Sequence, residues 1–286
     1  MSDVLITAIE LRSRLKTEQN LRIFDVRHDL MNYQWGHEAY KQAHIPGAIF
    51  LDHETELAAE KDGKNGRHPL PCREELATLL AHKGVHIDDA VVVYDQDNMM
   101  FAAHLWWMLR WLGFERVQVL SGGFKAWRAI EGELESGEAA ALPAIQSWEP
   151  RASLVRLVTV DQVVNNLTRQ EFVLLDARTA VRYRGEEEPM DPVAGHIPGA
   201  LNRPMAANLD ADGYFKPADL LRDEFLALSE QPEQLVHQCG SGITACHHAL
   251  AMEIAGLPGS GLYAGSWSEW IADPNRPRAT AQEASD

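Results

Sequence analysis

The chain has 286 residues, of which 45% are hydrophobic and 24% charged, a composition typical of soluble globular proteins. This length favours two domains, each large enough to bury its own core. The formal net charge of −16 argues against nucleic acid or an anionic membrane surface as a partner. Because the sequence has no apolar run of membrane-spanning length, no signal peptide and no disulfide framework among its three cysteines, we predict a cytoplasmic location.

The first half of the chain alternates between helical and strand patterns, which indicates an α/β domain. Thr7 and Glu10 form a capping box that predicts the start of a helix. The further predicted strands and helices of this half cover residues 21–24, 73–82, 90–94, 101–112 and 117–120. Two short motifs stand between them, Asp25-Val26-Arg27 after the first strand and His44-Ile45-Pro46-Gly47-Ala48 before an apolar run.

The second half repeats these features in the same order. Thr159 and Gln162 form a second capping box, and Asp176-Ala177-Arg178 follows a predicted strand at 172–175. His196-Ile197-Pro198-Gly199-Ala200 repeats the earlier five-residue motif. An aromatic segment with Trp267 and Trp270 echoes Phe124 and Trp127, each beside glycine. The repetition predicts a duplicated α/β unit.

Composition sets the predicted domain bounds. Residues 130–150 change to Glu, Ala, Gly and Ser with little periodicity, which is typical of a linker. We predict an N-terminal domain over 1–135, a linker over 136–152, a C-terminal domain over 153–274 and a loose tail over 275–286.

The two halves differ most at one loop. The second half carries Cys239-Gly240-Ser241-Gly242-Ile243-Thr244 between a strand ending at 238 and a helical stretch at 245–255, whereas the first half carries Asp95. Glycines let the backbone curl around the sulfur, and the N–H groups of the loop and helix start favour a thiolate. A phosphatase loop of the form Cys-x5-Arg is excluded, because residue 245 is Ala245.

Together these motifs resemble the tandem-rhodanese sulfurtransferase family, over nearly the whole chain. The resemblance implies an α/β fold of two tandem rhodanese-like domains, each a parallel sheet flanked by helices. Within the family, the cysteine loop is most similar to that of 3-mercaptopyruvate sulfurtransferases. Thiosulfate-using relatives place basic residues just after the cysteine, where this chain has Gly240 and Ser241. Because this loop carries no side-chain cation, we expect a preference for mercaptopyruvate.

The resemblance also implies catalytic roles. Cys239 would attack the sulfur of the donor, release pyruvate and hold a persulfide in the cradle formed by the loop's N–H groups. Ser241, His68 and an acid would protonate the released enolate, with Glu54 matching the acid and Asp52 as its neighbour. A loop histidine with ordinary surface acids is the structural alternative.

Substrate binding is implied for Arg182 and for the loop residues Gly240, Gly242, Ile243 and Thr244. Arginine suits a carboxylate because its guanidinium donates in a bidentate fork. The family's second arginine follows Glu-Pro, but this chain has Met190 at that position, which leaves Arg184 or Arg203 as substitutes.

Neither an organic cofactor nor a metal is expected, since the histidines and cysteines follow no recognised ligand spacing. The expected partners are a small-molecule sulfur donor and a thiol or thioredoxin-like acceptor, with no nucleic acid and no membrane. Two alternatives remain: a thiosulfate sulfurtransferase, and a non-catalytic sulfur-carrier or binding module with the same fold.

Overall fold

The computed structural model describes residues 4–281. The chain divides into two compact units, and each unit is made of three separate stretches of the sequence. Unit 1 comprises residues 4–59, 70–154 and 211–214, and unit 2 comprises 60–69, 155–210 and 215–281. This division differs from the predicted domain bounds at 60–69 and 211–214. No helix within the described part of the chain is long and apolar enough to cross a membrane.

Unit 1 contains a parallel sheet in the order β1-β5-β4-β2-β3. Its strands are β1 (Leu5–Ile6), β2 (Leu21–Asp25), β3 (Ala48–Phe50), β4 (Ala90–Tyr94) and β5 (Val117–Leu120). Its helices are α1 (Ala8–Arg14), α2 (Trp35–Gln42), α3 (Arg73–His82), α4 (Met100–Leu112) and α5 (Gly123–Ala129). The central strand β4 is buried along its whole length, as its run of β-branched residues predicts.

Unit 2 contains a parallel sheet in the order β6-β10-β9-β7-β8. Its strands are β6 (Arg156–Leu157), β7 (Val173–Asp176), β8 (Leu201–Asn202), β9 (Leu235–Gln238) and β10 (Gly261–Leu262). Its helices are α6 (Val160–Arg169), α7 (Ala180–Tyr183), α8 (Ala218–Leu226), α9 (Ile243–Ile254) and α10 (Ser266–Trp270). Short 3-10 turns occupy Met205–Asn208 and Pro232–Gln234.

The two sheets have the same strand order, so the predicted duplication and fold class are confirmed. In both units the fourth strand of the chain order lies at the centre, and the longest helix of the unit follows it, α4 in unit 1 and α9 in unit 2. Parallel strands deliver the loops after their carboxyl ends to one edge of the sheet. The loops that begin at Asp95 and Cys239 therefore occupy equivalent positions in their own units.

Local sequence signals account for the equivalent helix starts. Both predicted capping boxes form, with Thr7 accepting from the Glu10 N–H at 3.2 Å and Thr159 from the Gln162 N–H at 3.3 Å. Helix α8 was not predicted, since only Leu221 and Phe225 are buried along it and the apolar pattern is weak.

Each unit is braced by its Asp-x-Arg motif. Arg27 pairs with Asp25 at 2.7 Å and donates to the Ala43 carbonyl, and Arg178 pairs with Asp176 at 2.6 Å. All four side chains are buried. Because a buried ion pair must be fully hydrogen-bonded to be tolerated, these pairs fix the strand ends rather than provide a reactive group.

The predicted linker, 136–152, contains no helix or strand, but it is held against unit 1. The Ile145 N–H donates to the Ala81 carbonyl, and the Trp148 indole donates to the Val85 carbonyl.

Within the predicted loose tail, residues 275–281 pack on unit 2. Ala279 exchanges two backbone hydrogen bonds of 2.9 Å with His196, and the Trp270 indole donates to the Pro277 carbonyl. A loose tail therefore does not describe these residues, while 282–286 lie outside the described range.

Candidate active site

Strand β9 and helix α9 position Cys239 between them. The strand is buried and is paired on both sides, by β7 and by β10, so its carboxyl end is rigidly placed. Cys239 is the first residue after it and is 2% exposed. Its Sγ accepts a hydrogen bond from the Gly242 N–H at 3.2 Å. The backbone at the start of α9 thus stabilises negative charge on the sulfur.

Gly242 is required by the backbone of this loop. Its φ of +91° lies in the left-handed region, and a Cβ there would come within 2.4 Å of the Ala264 carbonyl oxygen. Only glycine avoids both the steric cost of this φ and that overlap. The glycine that the sequence pattern singled out is therefore the residue that turns its N–H toward the sulfur.

The first turn of α10 fixes the cysteine loop from the other side. Ser266 Oγ accepts from the Cys239 N–H at 3.0 Å. The Trp267 N–H donates to the Cys239 carbonyl at 3.0 Å, and the Ser268 N–H to the Gly240 carbonyl at 2.9 Å. With both backbone groups of Cys239 bonded, the sulfur is held in one position relative to α9.

Ser241 and His68 meet within unit 2. Ser241 Oγ and His68 Nδ1 lie 2.7 Å apart although 173 residues separate them in the chain, and both residues are 7% exposed. A hydroxyl hydrogen-bonded to an imidazole can pass a proton in either direction. The structure thus brings together the two residues to which the family resemblance assigned one proton-transfer task.

The remaining loop residues open helix α9. Ile243 is buried and Thr244 is half-buried, and they are the first two residues of helix α9. These positions suit the predicted cradle for an anionic sulfur, and their role stays a prediction.

Glu54 lies in unit 1, in a turn after β3. It is half-buried, and its N–H donates to Asp52 Oδ1 at 2.8 Å. Asp52 therefore shapes the turn by accepting backbone hydrogen bonds, while the assignment of Glu54 as the acid stays a prediction.

Arg182 lies beside the residue that follows the cysteine. A Cβ on Gly240 would stand 3.4 Å from Arg182 Nη2 and 3.7 Å from Nη1. The guanidinium is held by Glu188, at 2.6 Å, and by Asp191, at 3.3 Å. Burial raises the pKa of Glu188, but the hydrogen bond from Arg182 and the nearby charges outweigh burial and hold that pKa below its ordinary value. Glu188 is therefore ionised and orients the arginine.

A second arginine, Arg67, occupies the same place, and sequence reasoning did not find it. Its Nη2 would lie 2.8 Å from a Cβ on Gly240, its Nη1 pairs with Asp191, and its N–H donates to Ser268 Oγ at 3.0 Å. The loop itself carries no side-chain cation, as the sequence indicates, but Arg67 and Arg182 place positive charge beside it. The available signal was its position directly before His68.

The two substitutes proposed for the missing second arginine have other partners. Arg184 pairs with exposed Glu186 at 2.7 Å, and Arg203 pairs with Glu224 at 2.6 Å. Arg67 is the arginine that lies against Gly240 together with Arg182.

The histidines behind the cysteine loop belong to the core. Burial lowers the pKa of His237 to about 3 and holds the pKa of His248 well below its ordinary value, so both are neutral. Burial raises the pKa of the Cys246 thiol, whose Sγ donates to the Gly242 carbonyl at 3.4 Å. Among residues 4–281, no group of three or more His, Cys, Asp or Glu side chains is arranged to hold a metal ion.

Fold and site together define a class: a duplicated parallel α/β protein with one cysteine cradled at a strand–helix junction. The family model for the rhodanese-like domain matches residues 7–130 and 159–273. The chain belongs to the rhodanese family, which confirms the resemblance seen in its motifs.

Three relatives illustrate the match. A Pseudomonas aeruginosa protein named "Probable 3-mercaptopyruvate sulfurtransferase" is 45% identical over 280 residues, which cover 96% of this chain and 98% of that protein. The thiosulfate sulfurtransferase of Cricetulus griseus is 35% identical over 260 residues, covering 88% and 85%. The solved structure of 3-mercaptopyruvate sulfurtransferase from Leishmania major is 30% identical with a TM-score of 0.83, covering 96% of this chain and 75% of that one.

Proposed function

We propose that the protein is a sulfurtransferase that moves sulfur from 3-mercaptopyruvate, through a persulfide on Cys239, to a thiol acceptor. Both the Pseudomonas aeruginosa and the Leishmania major relatives carry the name of this activity. The observation that carries the proposal is the 2.7 Å contact between Ser241 Oγ and His68 Nδ1. Ser241 is the second residue after Cys239, so this contact lies beside the sulfur's loop.

The first half-reaction forms the persulfide. Cys239 Sγ attacks the sulfur of mercaptopyruvate, an S–S bond forms, and the S–C bond of the donor breaks with its electron pair passing to the enolate of pyruvate. Ser241, backed by His68, delivers the proton that converts the enolate to pyruvate. The Gly242 N–H, 3.2 Å from Cys239 Sγ, then stabilises the sulfur anion.

The second half-reaction empties the site. A thiolate acceptor attacks the outer sulfur of the persulfide, which regenerates the Cys239 thiolate. Donor and acceptor of these general kinds follow from the sulfurtransferase relatives. We further propose a small thiol or a thioredoxin-like protein as the acceptor, and the cytoplasm as the location, because the reaction requires reduced thiols.

Incubation with mercaptopyruvate followed by peptide mass spectrometry tests the proposal. We expect a gain of one sulfur on the Cys239 peptide, and repeated pyruvate formation when a thiol is supplied. Loading of Cys239 without turnover would instead support a sulfur carrier, and the absence of any loading would contradict the proposal.

Thiosulfate is the second candidate donor. Two arginines, Arg67 and Arg182, lie against Gly240, where a dianionic donor would meet positive charge. The Cricetulus griseus relative is named for this activity.

A further inference from the structure

Arg67 is fixed as part of the cysteine site by contacts at both ends of the residue. Its backbone N–H donates to Ser268 Oγ, and the Ser268 N–H in turn donates to the Gly240 carbonyl at 2.9 Å. Its guanidinium pairs with Asp191, whose side chain is 2% exposed. The arginine is therefore tied to the same backbone segment that carries the nucleophile.

Asp191 joins two arginines over that segment. One of its oxygens pairs with Arg67 Nη1, and the other lies 3.3 Å from Arg182 Nη2. Both guanidiniums face the same side of Gly240, with Nη2 of Arg67 at 2.8 Å and Nη2 of Arg182 at 3.4 Å from a Cβ built there. A carboxylate that bridges two arginines lowers their mutual repulsion and keeps their outer N–H groups side by side.

Arg67 keeps hydrogen-bonding capacity for a ligand. Its Nε is buried and has no hydrogen-bond partner within the described residues. A buried guanidinium N–H without a partner is costly, and a bound anion within its reach would remove that cost. The side chain is 26% exposed, so it remains accessible from the open side of the loop.

The Arg67 guanidinium lies where it can contact a donor bound beside Gly240. The Arg67 guanidinium fills the space that a side chain at Gly240 would take, so it places a positive charge beside the loop although the loop itself has none. This charge comes from a residue 173 positions before Gly240 in the chain, next to His68.

We propose that Arg67 binds the anionic end of the sulfur donor and raises the turnover of thiosulfate relative to that of mercaptopyruvate. The inference rests on the proposed function. In the thiosulfate reaction, Cys239 Sγ attacks the outer sulfur, a new S–S bond forms, and the old S–S bond breaks with its electron pair leaving on sulfite. Sulfite carries two negative charges beside Gly240, whereas the carboxylate of mercaptopyruvate carries one, so Arg67 stabilises the thiosulfate reaction more.

Steady-state kinetics with both donors test this assignment, using Arg67→Met, Arg67→Lys and the control Arg184→Met. We expect Arg67→Met to lower kcat/KM for thiosulfate by roughly ten- to a hundredfold, the cost of one charged hydrogen bond, and for mercaptopyruvate by less than about fivefold. Arg67→Lys should recover part of the thiosulfate rate, and Arg184→Met should change neither donor because Arg184 pairs with exposed Glu186.

A second measurement does not depend on sulfur transfer. Alkylation of Cys239 by iodoacetate and by neutral iodoacetamide is compared by peptide mass spectrometry, with exposed Cys72 as the internal reference. We expect Arg67→Met to lower the iodoacetate rate several-fold relative to iodoacetamide at Cys239 and to leave the ratio at Cys72 unchanged. An unchanged iodoacetamide rate shows that the loop is intact.

Two outcomes overturn the inference: an unchanged alkylation ratio at Cys239, or equal losses for both donors in Arg67→Met. Failure of the proposed function is a separate result. It would appear as the absence of sulfur loading on Cys239 in the unmodified protein, and the alkylation ratio can be measured whether or not sulfur is loaded.

Discussion

The Asp95 loop of unit 1 and the Cys239 loop of unit 2 are built on one frame. In unit 2 the Trp267 N–H donates to the Cys239 carbonyl at 3.0 Å, and in unit 1 the Phe124 N–H donates to the Asp95 carbonyl at 2.8 Å. In each unit the residue preceding the long helix has a positive φ, 91° at Gly242 and 63° at Met99.

The loops differ in the anion that they hold. In unit 1 the Asp95 carboxylate accepts from the N–H groups of Met99 and Phe101 at 3.0 Å and of Ala102 at 3.3 Å. In unit 2 the sulfur of Cys239 accepts from Gly242. The comparison teaches that one backbone cradle can hold a structural carboxylate in unit 1 and, in unit 2, the sulfur that we propose as the nucleophile.

Replacing Cys239, the proposed nucleophile, should have the largest effect. We expect Cys239→Ser to abolish pyruvate formation and sulfur loading while the unfolding midpoint changes little, because a serine hydroxyl fits the cradle but cannot carry sulfane sulfur. A continuous assay measures pyruvate formation, intact-protein mass spectrometry measures sulfur loading, and urea unfolding measures the midpoint.

The double variant Asp95→Cys with Cys239→Ser tests whether a cysteine in the unit 1 loop can replace the one in unit 2. Unit 1 should remain inactive, because a cradle needs the proton donors and arginines of unit 2 as well. Activity restored by Asp95→Cys, or sulfur loaded on Cys246 or Cys72 in Cys239→Ser, would contradict this view.

Removing the proposed proton donors, Ser241 and His68, should have the next largest effect. We expect Ser241→Ala and His68→Gln each to lower kcat for mercaptopyruvate by roughly a hundredfold or more, the usual contribution of general acid catalysis. Turnover of thiosulfate should fall much less, because sulfite leaves without needing a proton on carbon. Equal losses for the two donors would indicate that the pair only shapes the loop.

Substitution of Gly242 by alanine should destabilise the protein more than the same substitution at Gly199, another glycine with positive φ. We expect Gly242→Ala to destabilise the protein by about 2–5 kcal/mol, from a left-handed φ and from overlap with the Ala264 carbonyl. Gly199→Ala is the control, because Gly199 also has positive φ, 78°, but no atom within 4 Å of a new Cβ. Urea unfolding of both variants measures the difference, and equal shifts would show that φ alone decides.

The Asp95 carboxylate should give unit 1 a pH dependence that unit 2 lacks at this position. Burial raises the pKa of Asp95 to about 6, although three backbone N–H groups act to lower it. A raised pKa in the folded state means that protonated Asp95 contributes stability below about pH 4, and that this contribution is lost as the pH rises through about 6. As the pH rises from 4 to 7, we expect the free energy of unfolding of Asp95→Asn to increase by up to about 3 kcal/mol relative to that of the unmodified protein.

Urea unfolding midpoints across that pH range measure this change, with exposed Asp223→Asn as the control. A difference between Asp95→Asn and the unmodified protein that is constant with pH would mean that Asp95 does not titrate there.

Local sequence patterns determined much of this molecule. The capping boxes at Thr7 and Thr159, the strand at Ala90–Tyr94 and the helix at Arg73–His82 have the bounds that the patterns predict. Capping and hydrophobic periodicity act over a few residues, so a short window of sequence is sufficient to specify them. The cysteine loop was recognisable for the same reason, since its glycines and its place between strand and helix are local.

Only the tertiary structure showed that Arg67 lies beside the cysteine loop together with the residues that the family resemblance assigned to the site. Arg67 meets Asp191 across 124 residues and His68 meets Ser241 across 173, and no local pattern marks these distances. The sequence left Arg184 or Arg203 as substitutes for the second arginine, but their guanidiniums pair with Glu186 and Glu224. The charge at a site depends on which chain segments the fold brings together, and that information is present only when the sheet and its connecting loops have formed.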